Sequence, residues 1–480
     1  MKRISTGLTL ATCLTIFAQS VWAFDVNQLV GVKTIIKSPS GKDELCVVAN
    51  RLVPKAYSEN DSKDEADLCG YNFYSNMALC PKMSSTNPGI LITKIIEGKT
   101  RAQTMGLCNS AEASTKAKFK SSISCSYTPS ILGYYHLSKM LKAGNVPTAV
   151  LRTMDKQEHY NVAINALNIL SKAPNDPIYQ TWNSFKKAHE NNTNNNLFDV
   201  SRSFVFGALS ENPKKEYRYR EMSGPYKYDT RYETFFQQAP YQKIINPAAV
   251  QTLFSPADDL RSRLQTILTM KDISDVVLMD TLMNQEDRVG NIHYKMAWYT
   301  KSVDPSTNEI SFKRESSKAE MKSSIESITS MKSVDEVKKM SSWIIPEKEL
   351  AIQKAGGLLV QEMMLKDNDC GVDVNTRTNM MRKNDALERV RHMSARTYKR
   401  FIDLYKLAQA PEFKTWLMRE MQFTAADAGS IADTSGKSFY ANLNKVNSIL
   451  RANCKSGVLK LDLNVDDLIS GKPTALNSCD

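Results

Sequence analysis

Apolar and polar positions alternate in short runs near the front of the chain and recur at helical spacing further on. Val32–Ile36 and Leu45–Val48 read as strands, and Lys55–Asp67 as a polar, turn-rich stretch. Ile90–Ile96 alternates with period two and ends in Glu97-Gly98-Lys99-Thr100, a turn leading to a further strand over Arg101–Gly106. Ala117-Lys118-Phe119-Lys120 reads as another strand, which sets both lysines on one face because side chains alternate. Thr128-Pro129 opens a helix over Ser130–Ala143. Thr128 is placed to cap it, and Pro129 stands in the first turn, where its missing N–H costs nothing. Leu132, Tyr135, Leu137, Met140 and Leu141 give this helix an apolar side; Gly144 stops it, and Val146–Val150 follows as a strand.

From about residue 155 the pattern becomes mainly helical, over Tyr160–Ala173, Ala257–Met270, Val276–Leu282, Asn384–Gln409 and Glu412–Gln422, with a last helix in 440–480. Two strands, Tyr294–Thr300 and Ile310–Lys313, flank the Asp304-Pro305 turn, and Leu359–Leu365 is a third. Ser316–Lys339 reads as a polar helical insertion, and the Tyr- and Pro-rich 210–245 segment as a surface cover. The whole is an α+β chain.

The ends and the cysteines change the picture. Lys2 and Arg3 precede an apolar stretch from Leu8 to Val21, and Val21-Trp22-Ala23 fits a signal-peptidase site, so 1–23 reads as a cleaved signal peptide. No later apolar run reaches the length of a membrane span. Without Cys13, eight cysteines remain, with no Cys-x-x-Cys pair, which favours disulfides over zinc or thiol redox chemistry. Proximity suggests Cys454–Cys479 and Cys108–Cys125. The expectation is an exported protein, periplasmic or secreted. The formal charge of +12 falls to +10 once Lys2 and Arg3 are removed. It is spread along the chain, which allows an anionic envelope surface as a partner without singling one out. Tyr217-Arg218-Tyr219-Arg220 interleaves aromatics with cations, but beside an export signal it reads as a loop or strand face rather than a nucleic-acid site.

The candidate chemistry lies in Asp280–Asn291, where an apolar run, Val276–Met279, feeds into a cluster of carboxylates, an arginine, a glycine and an asparagine. Asp280, Leu282, Gln285, Asp287 and Arg288 match the pattern Asp-x-Leu-x-x-(Asn/Gln)-x-Asp-Arg. That pattern resembles the catalytic loop of atypical kinases: phosphatidylinositol kinases, HipA-type kinases, and the secretory-pathway kinases related to Four-jointed. The resemblance implies a two-lobed kinase-like fold, with a small β-rich N-lobe over 85–152 and a larger, mainly helical C-lobe over 153–480. An insertion would fall near 300–345, and 24–84 would be a disulfide-containing N-terminal extension. It also implies phosphoryl transfer from ATP with Mg²⁺ or Mn²⁺, and Asp287 as the catalytic aspartate. Asn291 stands as a metal ligand, four residues after Asp287 where those families usually place it five after.

The same resemblance extends to three further pieces. Gly98 would turn the loop that covers the phosphates. Phe119-Lys120 resembles the Phe-Lys of the secretory-pathway kinases, which favours Lys120 as the phosphate-binding lysine and keeps Lys118 as second choice. The Lys366-Asp367-Asn368-Asp369-Cys370-Gly371 run, after an apolar strand, resembles their Leu-Asp-Asn-Gly metal element, giving Asp367 as metal ligand and Asp369 as a second. One piece departs: the helix that normally offers a glutamate to the lysine carries Ile131 there, and 130–143 holds no acidic residue.

Other schemes find no residues. Gly98-Lys99-Thr100 resembles the end of a Walker phosphate loop, whose earlier glycine would fall at Thr93. His136, His159, His189, His293 and His392 include no pair at metal spacing, and no Gly-x-Ser-x-Gly is present. The sequence thus predicts an exported kinase acting on a hydroxyl of a protein or glycan. The alternatives are a nucleotide- or partner-binding pseudokinase, which Ile131 favours, and a non-catalytic envelope structural protein.

Overall fold

The computed structural model describes residues 25–480 apart from 172, 192–195, 226–228, 322–342, 435, 472–478 and 480. The expected signal peptide and most of the polar insertion expected near 300–345 lie outside the described residues. The chain is α+β, as its pattern predicts. A seven-stranded antiparallel sheet runs in the order β1 (Val32–Lys37), β2 (Asp43–Val48), β6 (Ala149–Asp155), β7 (Phe204–Glu211), β5 (Ser114–Ser121), β4 (Ile90–Lys94), β3 (Met77–Pro81). This redraws the expected 85–152 unit. The sheet takes β1–β3 from the segment expected to be an extension and β7 from beyond residue 152, because central strands β6 and β7 need partners on both sides.

Between these strands run α1 (Glu59–Gly70), α2 (Arg101–Gly106), α3 (Thr128–Leu141), α4 (Lys156–Ile169) and α5 (Pro177–Asn191). Helix α1 replaces the polar, turn-rich stretch expected at Lys55–Asp67. Ser58 and Asp61 form a reciprocal capping box that starts it, and buried Glu65 anchors it by accepting the Tyr135 hydroxyl at 2.8 Å. Helix α2 replaces the expected strand after Gly98 for a similar reason: Thr100 and Gln103 cap each other. Alternation along β5 sends Ala117 and Phe119 into a core with Trp182, Phe185 and Val162 from α4 and α5. Lys118 and Lys120 therefore face the other way, towards α3 and the second half of the chain.

In that second half, α6 (Arg220–Ser223), α7 (Arg231–Gln237) and α8 (Ala239–Ile244) lead to the long α9 (Leu260–Leu282). The two helices expected over Ala257–Met270 and Val276–Leu282 are one, since Lys271–Asp275 contains no glycine or proline to interrupt it. Its C-terminal half is buried throughout. Strands β10 (Ile310–Ser316), β9 (Ile292–Val303) and β13 (Leu358–Leu365) form an antiparallel sheet beside it, with β8 (Tyr217–Arg218) also on β9. The Tyr217–Arg220 run thus serves packing: Tyr219 is buried and bonds Thr269. A short pair, β11 (Glu320–Met321) with β12 (Trp343–Ile344), flanks the insertion. The helix expected over Asn384–Gln409 is shorter, Ala395–Leu407.

The two halves meet closely. Gly144 sits at φ +79°, its carbonyl accepts the Leu365 N–H at 2.8 Å, and a Cβ there would lie 2.9 Å from the Leu365 side chain. All eight cysteines after Cys13 are paired: Cys46–Cys69, Cys80–Cys108, Cys125–Cys370 and Cys454–Cys479. The expected Cys454–Cys479 bond is present, and the expected Cys108–Cys125 bond is not, because α2 packs against β3 and carries Cys108, just beyond its end, to Cys80. Among the described residues no helix is long and apolar enough to cross a membrane.

Candidate active site

Lys120 ends its excursion from β5 between two carboxylates from the loop after β13. Its Nζ lies 3.0 Å from Asp367 Oδ1 and 2.7 Å from Asp369 Oδ2. Burial pulls the lysine's pKa down, but the two carboxylates outweigh it, raise it above its ordinary value and hold Lys120 charged. In return Lys120 holds Asp367 well below the usual carboxylate range, against burial and with help from Lys82, Lys118 and Lys366. Asp367 turns with φ +47°, a left-handed conformation that brings both aspartates to the same lysine. Asp369 is 1% exposed, whereas the Asp367 side chain keeps 27% of its surface open to the cleft.

The Asp280–Asn291 element stands beside this pair. Helix α9 ends at Leu282, Met283 caps it, and Asn284 reverses the chain at φ +55°. Gln285 Oε1 then accepts the backbone N–H groups of Glu286 and Asp287 at 3.0 and 3.1 Å, which fixes the loop from within. Arg288 is completely buried. Its Nε lies 2.9 Å from Asp280 Oδ2, its Nη1 donates to the Lys366 carbonyl at 2.9 Å, and its Nη2 donates to Asn368 Oδ1 at 2.7 Å. Asp280 and Arg288 therefore brace one acidic loop against the other.

Asp287 is left pointing outward, 3.1 Å from Arg231 at the start of α7. Burial raises its pKa, Arg231 opposes that, and the Asp369 and Asp367 carboxylates add to it. Asn291 donates its amide to the Asp287 carbonyl at 2.9 Å, so its Oδ1 is the atom left for a cation. Its own carbonyl accepts the Lys366 N–H at 3.4 Å. His293 lies on β9 near Glu216, not at Asp287, and burial pushes it down to about 4, so the imidazole is neutral.

Cations crowd the cleft. A small cavity of about 40 Å³ is lined by Lys118, Lys120, Ile131, Val146, Lys366 and Asp367 among others. Lys366 pairs with Glu216, and Lys82 feels Asp367, Lys120 and Lys118. Burial first, and then the neighbouring lysines, push Lys366 down to about 6; burial and these lysines push Lys82 to about 8. Lys118 is lowered by the same causes.

Gly98 is not part of this group. Lys94 at its end of β4 pairs with Ser114, while Ile90 at the far end pairs with Phe119, next to Lys120. The loop that does adjoin Lys120 is 82–89, between β3 and β4. Its Lys82 N–H closes on the Gly89 carbonyl at 2.9 Å, and a Cβ on Gly89 would lie 3.4 Å from Lys120 Cγ. Asn87 reaches Cys370 Sγ at 3.7 Å. Lys82-Met-Ser-Ser-Thr-Asn-Pro-Gly89 is composed like many surface turns, and the signal that marks it out is its place one strand before the lysine strand.

Asp367 with Asn291 offers the hard oxygen donors that Mg²⁺ takes from protein when substrate phosphates supply others. Among the described residues no group of three or more His, Cys, Asp or Glu side chains is disposed to hold a metal by itself. No protein-family model and no curated protein matches the chain. Any functional reading therefore rests on the residues themselves.

Proposed function

We propose that the chain is an exported phosphotransferase of atypical-kinase type, moving the γ-phosphoryl group of ATP to a hydroxyl on a protein or glycan. The observation that carries the reading is the meeting of Lys120 and Asp367, 247 positions apart, beside the loop of Asp287 and Asn291. Those are the residues that the kinase resemblance, taken over its separate motifs, requires in one place, and packing alone gives no reason to bury a lysine between two aspartates at a cleft.

Each side chain then has a task. Lys120 and the surplus cations Lys82, Lys118 and Lys366 receive the phosphate oxygens, which restores the lysine charges that crowding depresses. The 82–89 loop closes over the phosphates with its hydroxyls and backbone N–H groups. Asp367 and Asn291 would hold Mg²⁺, which when bound neutralises charge on the transferring group. Asp287 orients the acceptor hydroxyl and takes its proton once Arg231 swings aside. Catalysis here is positioning and electrostatics, with no covalent intermediate.

A second reading, binding without turnover, is favoured by two observations: Arg231 occupies Asp287, and α3 gives Lys120 no carboxylate. Turnover separates the two. Incubation of the oxidised protein with γ-labelled ATP, Mg²⁺ and envelope proteins or glycans should label an acceptor, and Asp287→Ala should abolish labelling while ATP still binds. Binding with no labelled acceptor and no ATP consumption selects the second reading.

A further inference from the structure

The geometry points to Asp369, held by the Cys125–Cys370 disulfide, as the device that positions Lys120 for nucleotide phosphates in place of the missing helix carboxylate. The inference rests on the nucleotide reading above. A lysine that grips phosphate with a flexible four-carbon stem needs a fixed anion to aim it. Helix α3 presents Ile131 to the cavity beside Lys118 and Lys120. The anion comes from the opposite wall, where buried Asp369 lies 2.7 Å from Nζ.

The loop that carries Asp369 is fixed on every side. The Asp369 carbonyl accepts the Tyr127 N–H at 2.9 Å, and the Cys370 carbonyl accepts the Glu286 N–H at 3.0 Å. Ser130 Oγ donates to the Asn368 carbonyl at 2.6 Å. A Cβ on Gly371 would lie 2.7 Å from both the Met283 carbonyl and Ser130 Oγ, so only glycine passes. Cys370 then bonds to Cys125, in the turn just after the lysine strand. The result is a closed ring: Lys120 to Asp369 by an ion pair, Asp369 to Cys370 by the chain, Cys370 to Cys125 by the disulfide, and Cys125 back to Lys120 by the chain.

The disulfide spans 245 residues, so without it this ring is open and no covalent link holds the two sides together, only ion pairs and hydrogen bonds. Closing it takes two electrons and two protons from the Cys125 and Cys370 thiols, passed by thiol–disulfide exchange to an oxidising protein disulfide. A protein still in the reducing cytoplasm, where ATP is plentiful, thus carries a slack site that becomes competent on export.

The test is Mg·ATP affinity by isothermal titration of the oxidised protein, with folding checked by circular dichroism. Asp369→Asn and Cys125→Ser/Cys370→Ser should each weaken binding about tenfold, the scale of one charged hydrogen bond. The control Cys454→Ser/Cys479→Ser, remote from the cleft, should change it by less than about twofold. Adding Ile131→Glu to Asp369→Asn should recover affinity, which a merely structural Asp369 would not allow. Wild-type binding matched by both Asp369→Asn and the Cys125/Cys370 variant overturns the inference and leaves the nucleotide site standing. No binding by the oxidised wild type removes the nucleotide reading and the inference with it. If the cysteine variant does not fold, Asp369→Asn and its Ile131→Glu rescue decide.

Discussion

Two buried ionic clusters share the 366–369 loop and are built in opposite ways. Around Arg288, one guanidinium meets one carboxylate, Asp280. The remaining donors end on the Lys366 carbonyl and Asn368, and the Tyr134 hydroxyl completes Asp280 at 2.7 Å. Around Lys120, the cations Lys82, Lys118, Lys120 and Lys366 share Asp367, Asp369 and Glu216, and three of those lysines are pushed down. The first cluster is complete and holds the fold. The second sets four lysines against three carboxylates at a cleft, and on the reading proposed above a bound phosphate completes it. Similar residues of one loop thus serve stability in one case and, on the proposed function, binding in the other.

The comparison breaks first at Arg288. Arg288→Ala leaves Asp280 buried and unpaired, and should lower unfolding stability by about 3–5 kcal/mol in denaturant titration. Arg288→Met with Asp280→Leu should restore most of it, because no charge is then stranded. Lys82→Met belongs to the other cluster and should do the reverse. Unfolding stability should stay within about 0.5 kcal/mol, while Mg·ATP affinity falls by about tenfold, one charged contact.

The pH dependence of binding sharpens the same contrast. Lys82 stands at about 8 in the free protein, and a bound phosphate raises it, so binding takes up a proton. Affinity should be full below about pH 6, where Lys366 and Lys82 are both charged in the free protein, and fall as pH rises through about 6 and then about 8 towards the bound-state values. Titration at pH 8 in buffers of different ionisation enthalpy reads the proton directly; no proton uptake would contradict it. The smallest effect is expected at Arg231→Gln. Asp287 is partly exposed, so stability should move by less than about 0.5 kcal/mol. Removing the cation that opposes burial raises Asp287 further, and the acid limb of a pH–rate profile should shift to higher pH.

Which of these parts the sequence makes legible follows from how local they are. Asp280, Asp287 and Arg288 lie in one short element with a fixed spacing, and the loop they build is intelligible residue by residue. Lys118 and Lys120 share a face because a strand alternates, whatever it pairs with. The role of Asp369 is hidden, since its partner arrives from β5 and nothing near Asp369 announces a lysine. The same distance hides Cys125–Cys370, and the 82–89 loop gains meaning only from the sheet order that sets it beside Lys120 rather than Gly98. Helix α1 is missed because its sequence, Glu-Asn-Asp-Ser-Lys-Asp-Glu-Ala-Asp-Leu-Cys-Gly, offers little apolar periodicity, although its Ser58 and Asp61 cap is visible.

The most direct test of the central claim is the melting temperature of the oxidised mature protein with Mg²⁺, with and without millimolar ATP, beside Asp367→Ala. A ligand that binds only the folded state stabilises it by about 2.7 kcal/mol at a hundred times its Kd. The account predicts a rise of a few degrees in the wild type and none in Asp367→Ala. An unmoved wild-type transition, or an equal rise in the variant, would contradict a metal–nucleotide site built on Lys120 and Asp367.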